Sequence, residues 1–240
     1  MPLRDHFHPP LAEQRSWEEL DGAWPGSIAF RLNSILPPNY YCGPRVHLGT
    51  AIEIDVAAFE NGDPLGGTYD SDGGGTAVSW VPARPTLLLD TDDPIPPEYE
   101  VRVYDERHGR RLVAAVEIVS PGNKDRPESR EAFVSKCRTL LQQDVCVVIV
   151  DPVTDRPANL YAELAERIKA APPAVAASPI YAVSCRGIRS RGRWRVEAWE
   201  HELLVGLPLP TLPLWLTNCL SVPLELEASY EDTCRGLRIA

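Results

Sequence analysis

The stretch LVAAVEIVSPGNKDRPESREAFVSKCRTLLQQDVCVVIV, residues 112–150, decides the fold. Residues 112–120 read as a β-strand: Leu112, Ala114, Val116 and Ile118 take one face, and Val113, Ala115, Glu117 and Val119 the other. Pro127 suits the first position of a helix, which then runs to about residue 142 with Phe133, Cys137, Leu140 and Leu141 as its apolar stripe. Residues 145–150 are apolar without alternation, the pattern of a strand covered on both faces. Strand, helix and apolar strand make a βαβ unit, whose crossover is right-handed in nearly all proteins.

Outward from this unit, residues 99–105 read as a strand joined to 112–120 by a hairpin with Gly109 at its turn. Two further strands are expected over 40–49 and 51–59, followed by a long, flexible, glycine-rich loop over 61–76. Before them, Ser16-Trp17-Glu18-Glu19 has the spacing of a capping box. Trp24, Ile28, Leu32, Ile35 and Leu36 recur at helical spacing behind it, with Pro25 as a point of interruption and Pro37-Pro38 as the end. On the C-terminal side the sequence predicts a helix over 159–171 and a strand pair over 180–185 and 194–199. A stiff connector over 208–213 and a closing helix over 224–237 complete it. There is no internal repeat and no second core. The expected fold is α/β: a single domain over residues 1–240, with a mixed β-sheet flanked by helices and its motif region at 51–151.

Lys+Arg 24 against Asp+Glu 34 gives a net charge of −10, which argues against a protein that coats nucleic acid non-specifically but leaves room for a local basic groove. The first residues carry no apolar leader, and the six cysteines form no C-x-x-C pair. Reduced, buried thiols in a cytoplasmic protein are expected, with neither a disulfide frame nor a zinc site. Only Lys124, Lys136 and Lys169 are lysine.

Two acids stand where the pattern wants apolar residues. Glu117 is the one ionisable residue on its strand, and an ionised carboxylate there is costly unless paired, protonated or bound to a metal. Asp55 raises the same problem, and Glu53 shares its face, so a carboxylate cluster is one reading. Glu117 also precedes Ser120-Pro-Gly-Asn-Lys124 at the carboxyl end of its strand, where sites gather in open α/β sheets. Lys124 offers a cation in that loop, and Lys136 lies beside the buried face of the crossover helix, within reach of the same edge. Acids that share a magnesium or manganese ion, with a lysine near, suit phosphodiester hydrolysis. The plainer alternative is that Glu117 pairs with an arginine such as Arg45 or Arg102 and fastens the sheet.

The segment Glu117-Ile-Val-Ser-Pro-Gly-Asn-Lys124, with Lys136 and the strand ending Val150-Asp151, resembles the bacterial domain-of-unknown-function family numbered 4058. Trp17, Leu32-Asn33, Glu53-Ile-Asp55 and Glu100-Val-Arg-Val-Tyr-Asp105 agree with it. The central part is also similar to the Uma-type endonucleases of the PD-(D/E)xK nuclease superfamily. That resemblance implies a restriction-endonuclease-like core with Asp55 in the first acid position and Glu117 in the second. The motif's lysine position falls on Val119. Lys136 is the substitute the resemblance favours, since Uma-type sequences with the same gap carry a lysine there, and Lys124 is next. The residue before Asp55 is Ile54 where the superfamily has proline.

Arg186, Arg189, Arg191, Arg193 and Arg195 crowd one hairpin near Trp194 and Trp199. They read either as a nucleic-acid patch with a stacking aromatic or as a solvated tip. His6 and His8 read as tail residues rather than a metal pair, and Trp215 as packing. Two functions follow. One is a magnesium-dependent nuclease with Asp55, Glu117 and Glu53 as metal ligands and Lys136, Lys124 and Glu117 as the catalytic set. The other is a degenerate nuclease-fold module that binds a protein or ligand partner.

Overall fold

The structure, a computed structural model, describes residues 2–44, 56–60, 87–90, 111–190 and 192–239. In chain order the first elements are α1 (Leu11–Gln14), α2 (Trp17–Asn33), β1 (Tyr40–Pro44), β2 (Val56–Glu60), β3 (Leu87–Asp90) and β4 (Arg111–Ile118). Then come α3 (Pro121–Asp125), α4 (Pro127–Gln142), β5 (Cys146–Asp151), α5 (Leu160–Arg167), β6 (Tyr181–Ser190) and β7 (Arg193–Glu202). The chain closes with β8 (Thr211–Trp215), β9 (Ser221–Glu225) and α6 (Leu226–Gly236).

Among the described residues, seven strands form one sheet in the order β1-β2-β4-β5-β6-β7-β3. β4 and β5 run parallel on either side of α4, and every other neighbouring pair is antiparallel. This is the expected α/β class, a mixed sheet flanked by helices in a single domain. Alternation along β4 and β5 divides the core in two. Ala114, Val116 and Ile118, with Cys146, Val148 and Val150, face a cluster that includes Trp24 of α2, Leu212 of β8 and Tyr230 of α6. Ala115 and Val119, with Val147 and Ile149, face Phe133 and Leu141 of α4 and Leu164 of α5. Both faces of β5 are therefore covered, which is why its sequence shows no alternation.

Local chemistry fixes the ends of the helices. The Ser16 hydroxyl accepts a hydrogen bond from the Glu18 amide at 3.2 Å and caps α2. α2 continues through Pro25 as one helix, contrary to the expected interruption, because Leu20, Trp24 and Ile28 bury on either side of the proline. The C-terminal end of α4 folds back on itself: Val145 N–H donates to Leu140 O at 3.0 Å and Asp144 N–H to Leu141 O at 3.2 Å. That places Asp144 at φ 60°, a position glycine favours. In β6, Gly187 permits a close approach: a Cβ there would meet Trp194 Nε1 at 2.8 Å and Leu141 O at 2.9 Å.

Three expectations shift. Residues 208–213 were expected to connect, yet Thr211–Trp215 forms a strand in which Pro213 faces Pro223 of β9. An isolated two-stranded ribbon tolerates prolines that a central strand would not. The closing helix starts at Leu226 instead of 224, since residues 221–225 supply the other half of that ribbon. The second helix is confined to Leu160–Arg167. The expected strand over 99–105, the loop over 61–76, and Glu53, Asp55, Arg45 and Arg102 lie outside the described residues. No helix among the described residues is long and apolar enough to cross a membrane.

Candidate functional site

Glu117 enters from β4 on the face that carries Ala115 and Val119, with its side chain only 1% exposed. An ionised carboxylate in that setting is costly unless a partner meets it. Lys136 supplies one: its Nζ donates to Glu117 Oε2 at 2.6 Å. The lysine sits on α4 one turn beyond Phe133, whose ring centroid is 5.5 Å from the ammonium. Its side chain is 11% exposed, so the pair lies at the margin of the core with the lysine on the solvent side. The crossover geometry causes this meeting. α4 returns over β4 on its way to β5, and a lysine beside its buried stripe reaches the last inward residue of β4. An ammonium meets this carboxylate; Arg45 and Arg102, the partners of the plainer sequence reading, lie outside the described residues.

The second lysine serves a different acid. Asp151 ends β5, and Lys124 Nζ lies 3.1 and 2.9 Å from its two carboxylate oxygens. The same ammonium lies 3.1 Å from Pro179 O and 3.4 Å from Val153 O. Both side chains are 0% exposed. Burial pushes the Asp151 carboxyl up, against the downward pull of Lys124 and of the Val153 amide. α3 exists to deliver this lysine. Asn123 Oδ1 accepts from the Ser120 amide at 2.9 Å and turns the chain, so that Lys124 points inward. Lys124 therefore ties α3, the end of β5 and the segment before β6 together, and it is committed to the fold.

Glu117 and Asp151 stand on adjacent parallel strands and project to the same face, with Glu117 in register with Ile149. Strand spacing and rise put their backbones roughly 8 Å apart on the diagonal. Two carboxylates and two ammoniums thus gather at the carboxyl edge of the β4–β5 pair, each carboxylate with its own lysine. On the far side of β4, the register pairs Val116 with Val56, the first residue of β2. Asp55 precedes Val56 in the chain and, like Glu53, lies outside the described residues. Among the described residues no group of three or more His, Cys, Asp or Glu could hold a metal ion. Of the two carboxylates at this edge Asp151 is sealed with Lys124, and Glu117 with its ammonium does not by itself make a magnesium site.

The remaining sequence candidates separate. Arg186 is engaged: its guanidinium carbon lies 3.4 Å from the Trp215 ring centroid, and its Nε donates to Glu197 Oε2 at 2.7 Å. Trp194 and Trp199 are buried, so neither presents a face for stacking on a base. Arg189 and Arg193 are exposed and Arg195 half-buried on the β6–β7 hairpin, while Arg191 lies outside the described residues. His6 is no tail residue: it is buried, with Nε2 2.6 Å from the Tyr230 hydroxyl. His8 remains exposed, 2.9 Å from Asp5 Oδ2. Cys137 lies beside Lys136 in sequence, but burial first, and the Glu117 carboxylate second, hold its thiol well above the ordinary range. It is no nucleophile.

Asp151 and His6 escaped sequence reasoning. Asp151 had a signal, an acid closing an apolar run in a chain with three lysines; His6, in a proline-bounded segment, had none. Comparison of the chain with protein-family models, with curated proteins and with solved structures found no match.

Proposed function

We propose that this chain is a divalent-cation-dependent phosphodiesterase acting on nucleic acid, built on a restriction-endonuclease-like core. The observation that carries the reading is the 2.6 Å contact between Lys136 Nζ and Glu117 Oε2 at the carboxyl end of β4. An acid and a lysine joined at that edge are a pair that phosphoryl transfer can use. The resemblance to family 4058 and to the Uma-type endonucleases supports the same pair, and it adds Asp55 and Glu53 as the further carboxylates. A magnesium or manganese ion held by Glu117 and those acids would polarise a phosphoryl oxygen and acidify a bound water. Lys136 steadies the negative charge that develops on the phosphoryl oxygens. The nucleic acid is held by a local patch, Arg189, Arg193 and Arg195, within a chain whose net charge is −10. The free thiols of the described cysteines suit a cytoplasmic setting.

The experiment is a cleavage assay on single- and double-stranded DNA and RNA with magnesium or manganese, with and without chelator. Cation-dependent cleavage that Glu117→Gln abolishes supports the reading. No cleavage of any substrate counts against it.

A second reading keeps the scaffold and drops the chemistry. Val119, in the motif's lysine position, is fully buried, and Lys124 is committed to Asp151. On that reading the module binds a protein or ligand partner, and the Glu117–Lys136 pair only fastens α4 to the sheet.

A further inference from the structure

We propose that the Asn33 side chain closes the outer edge of β1 to strand pairing with a second copy of this chain. β1 opens the sheet order, with β2 on one side and, among the described residues, no strand on the other. An edge of this kind presents N–H and C=O groups to any strand that approaches. On β1 they are already engaged. Asn33 Nδ2 donates to Cys42 O at 2.8 Å, and the Cys42 amide donates to Asn33 Oδ1 at 2.8 Å. Cys42 stands opposite Ala58 of β2 in register, yet both of its backbone groups are spent on a side chain outside the sheet. They therefore point away from β2, and the alternation of an antiparallel pair turns Tyr40 and Pro44 outward with it. The Tyr40 amide donates to Pro37 O at 2.9 Å, and Pro44 has no amide hydrogen. Every outward N–H of β1 is thus accounted for. Cys42 is the position at which donor and acceptor would both stand open, so one side chain is enough to close the edge.

Local structure puts the amide there. Asn33 is the last residue of α2, and the chain doubles back behind it: the Leu36 amide donates to Leu32 O at 2.9 Å, and Cys42 returns beside the helix end nine residues after Asn33. A primary amide carries a carbonyl and an N–H much as a peptide group does, so Asn33 stands in for one residue of a neighbouring strand. Asn33 is exposed, and its two hydrogen bonds, not burial, hold the side chain in place. The competing occupant follows from symmetry. Two β1 edges related by a two-fold axis through Cys42 meet antiparallel, and each Cys42 amide then faces the other's carbonyl. Those are the two groups that Asn33 now satisfies, so the clamp and the pairing exclude each other.

Sedimentation equilibrium and residue-resolved amide exchange, over a wide range of protein concentration, compare wild type with Asn33→Ala. The self-association constant of the variant is expected to exceed that of wild type by about tenfold, since two hydrogen bonds become available across the two-fold. Its Cys42 amide should exchange faster than in wild type when dilute and regain protection when concentrated. In wild type that amide should be protected equally at every concentration. Asn33→Asp keeps an acceptor for the Cys42 amide and loses the donor for its carbonyl; it serves if the alanine variant does not fold, with a smaller rise in association expected. A folded variant that loses stability but associates as wild type does, with Cys42 protection independent of concentration, would reduce Asn33 to a tie between α2 and β1 and overturn the proposal. Cys42 protection in wild type that grows with concentration would overturn it as well.

Discussion

Lys124 and Asp151 form an ion pair that no water reaches, with the ammonium 2.9 Å from one carboxylate oxygen and 3.1 Å from the other. A pair of this kind adds little net stability, but breaking it strands a charge. Lys124→Met should lower the unfolding free energy by about 3–5 kcal/mol, and pairing it with Asp151→Leu should restore much of the loss. Denaturant titration of the two single variants and the double variant measures this. Additive losses in the double variant would contradict it.

His6 gives the protein a defined acid sensitivity. Burial, then the charge of Arg4, depresses its pKa from 6.5 to about 4, with Asp5 pulling weakly upward. The folded state thus holds fewer protons than the unfolded state between those values. The contribution is fully present above pH 6.5 and is lost as the pH falls toward 4. The whole effect is roughly 3 kcal/mol. Asp151, whose carboxyl burial raises, works in the opposite direction, so the wild-type curve alone is ambiguous. The stability difference between wild type and His6→Gln isolates the histidine. It should shrink as the pH drops from 6.5 to 4, and a constant difference would rule the histidine out.

Three helices end the same way. Asp144, Lys169 and Arg238 sit at φ 60°, 58° and 54°, each just past a helix whose last carbonyls are closed by backward hydrogen bonds. An L-residue is strained there and glycine is not. Asp144→Gly should therefore raise stability by roughly 1 kcal/mol. Thermal unfolding decides it, and a loss of stability would contradict it.

How much of this was legible follows from the range of each interaction. The βαβ unit was readable because its signals are local: Pro127 starts α4 where the sequence placed it, and the unbroken apolar run of β5 announced burial on both faces. Glu117 stood out for the same reason, as a charge amid an apolar alternation. The partner of each acid was not local. Lys136 and Lys124 both lay near enough in sequence to serve Glu117, and only the inward turn of α3 sends Lys124 to Asp151 instead. The β8–β9 ribbon was hidden because prolines at 213 and 223 mimic a connector. His6 was hidden because its partner, Tyr230, is over two hundred residues away.

The β6–β7 hairpin carries the proposed contact with nucleic acid. Arg186 is held by Trp215 and Glu197, so the exposed arginines are the ones to test. Arg189→Ser and Arg193→Ser should each weaken binding of a labelled oligonucleotide and reduce the slope of log affinity against log salt by about 1. Fluorescence anisotropy at several salt concentrations measures it. An unchanged slope would remove the hairpin from the interface.

On the proposed function, Glu117 and Lys136 are joined for chemistry and not merely for packing. Single-turnover cleavage of an oligonucleotide in saturating manganese, with wild type, Glu117→Gln and Lys136→Met each confirmed as folded by circular dichroism, tests it most directly. Wild type should cleave, and each variant should be slower by about two orders of magnitude, the usual cost of removing one group that stabilises a transition state. Cleavage by Glu117→Gln at the wild-type rate, or none by wild type at all, would contradict it.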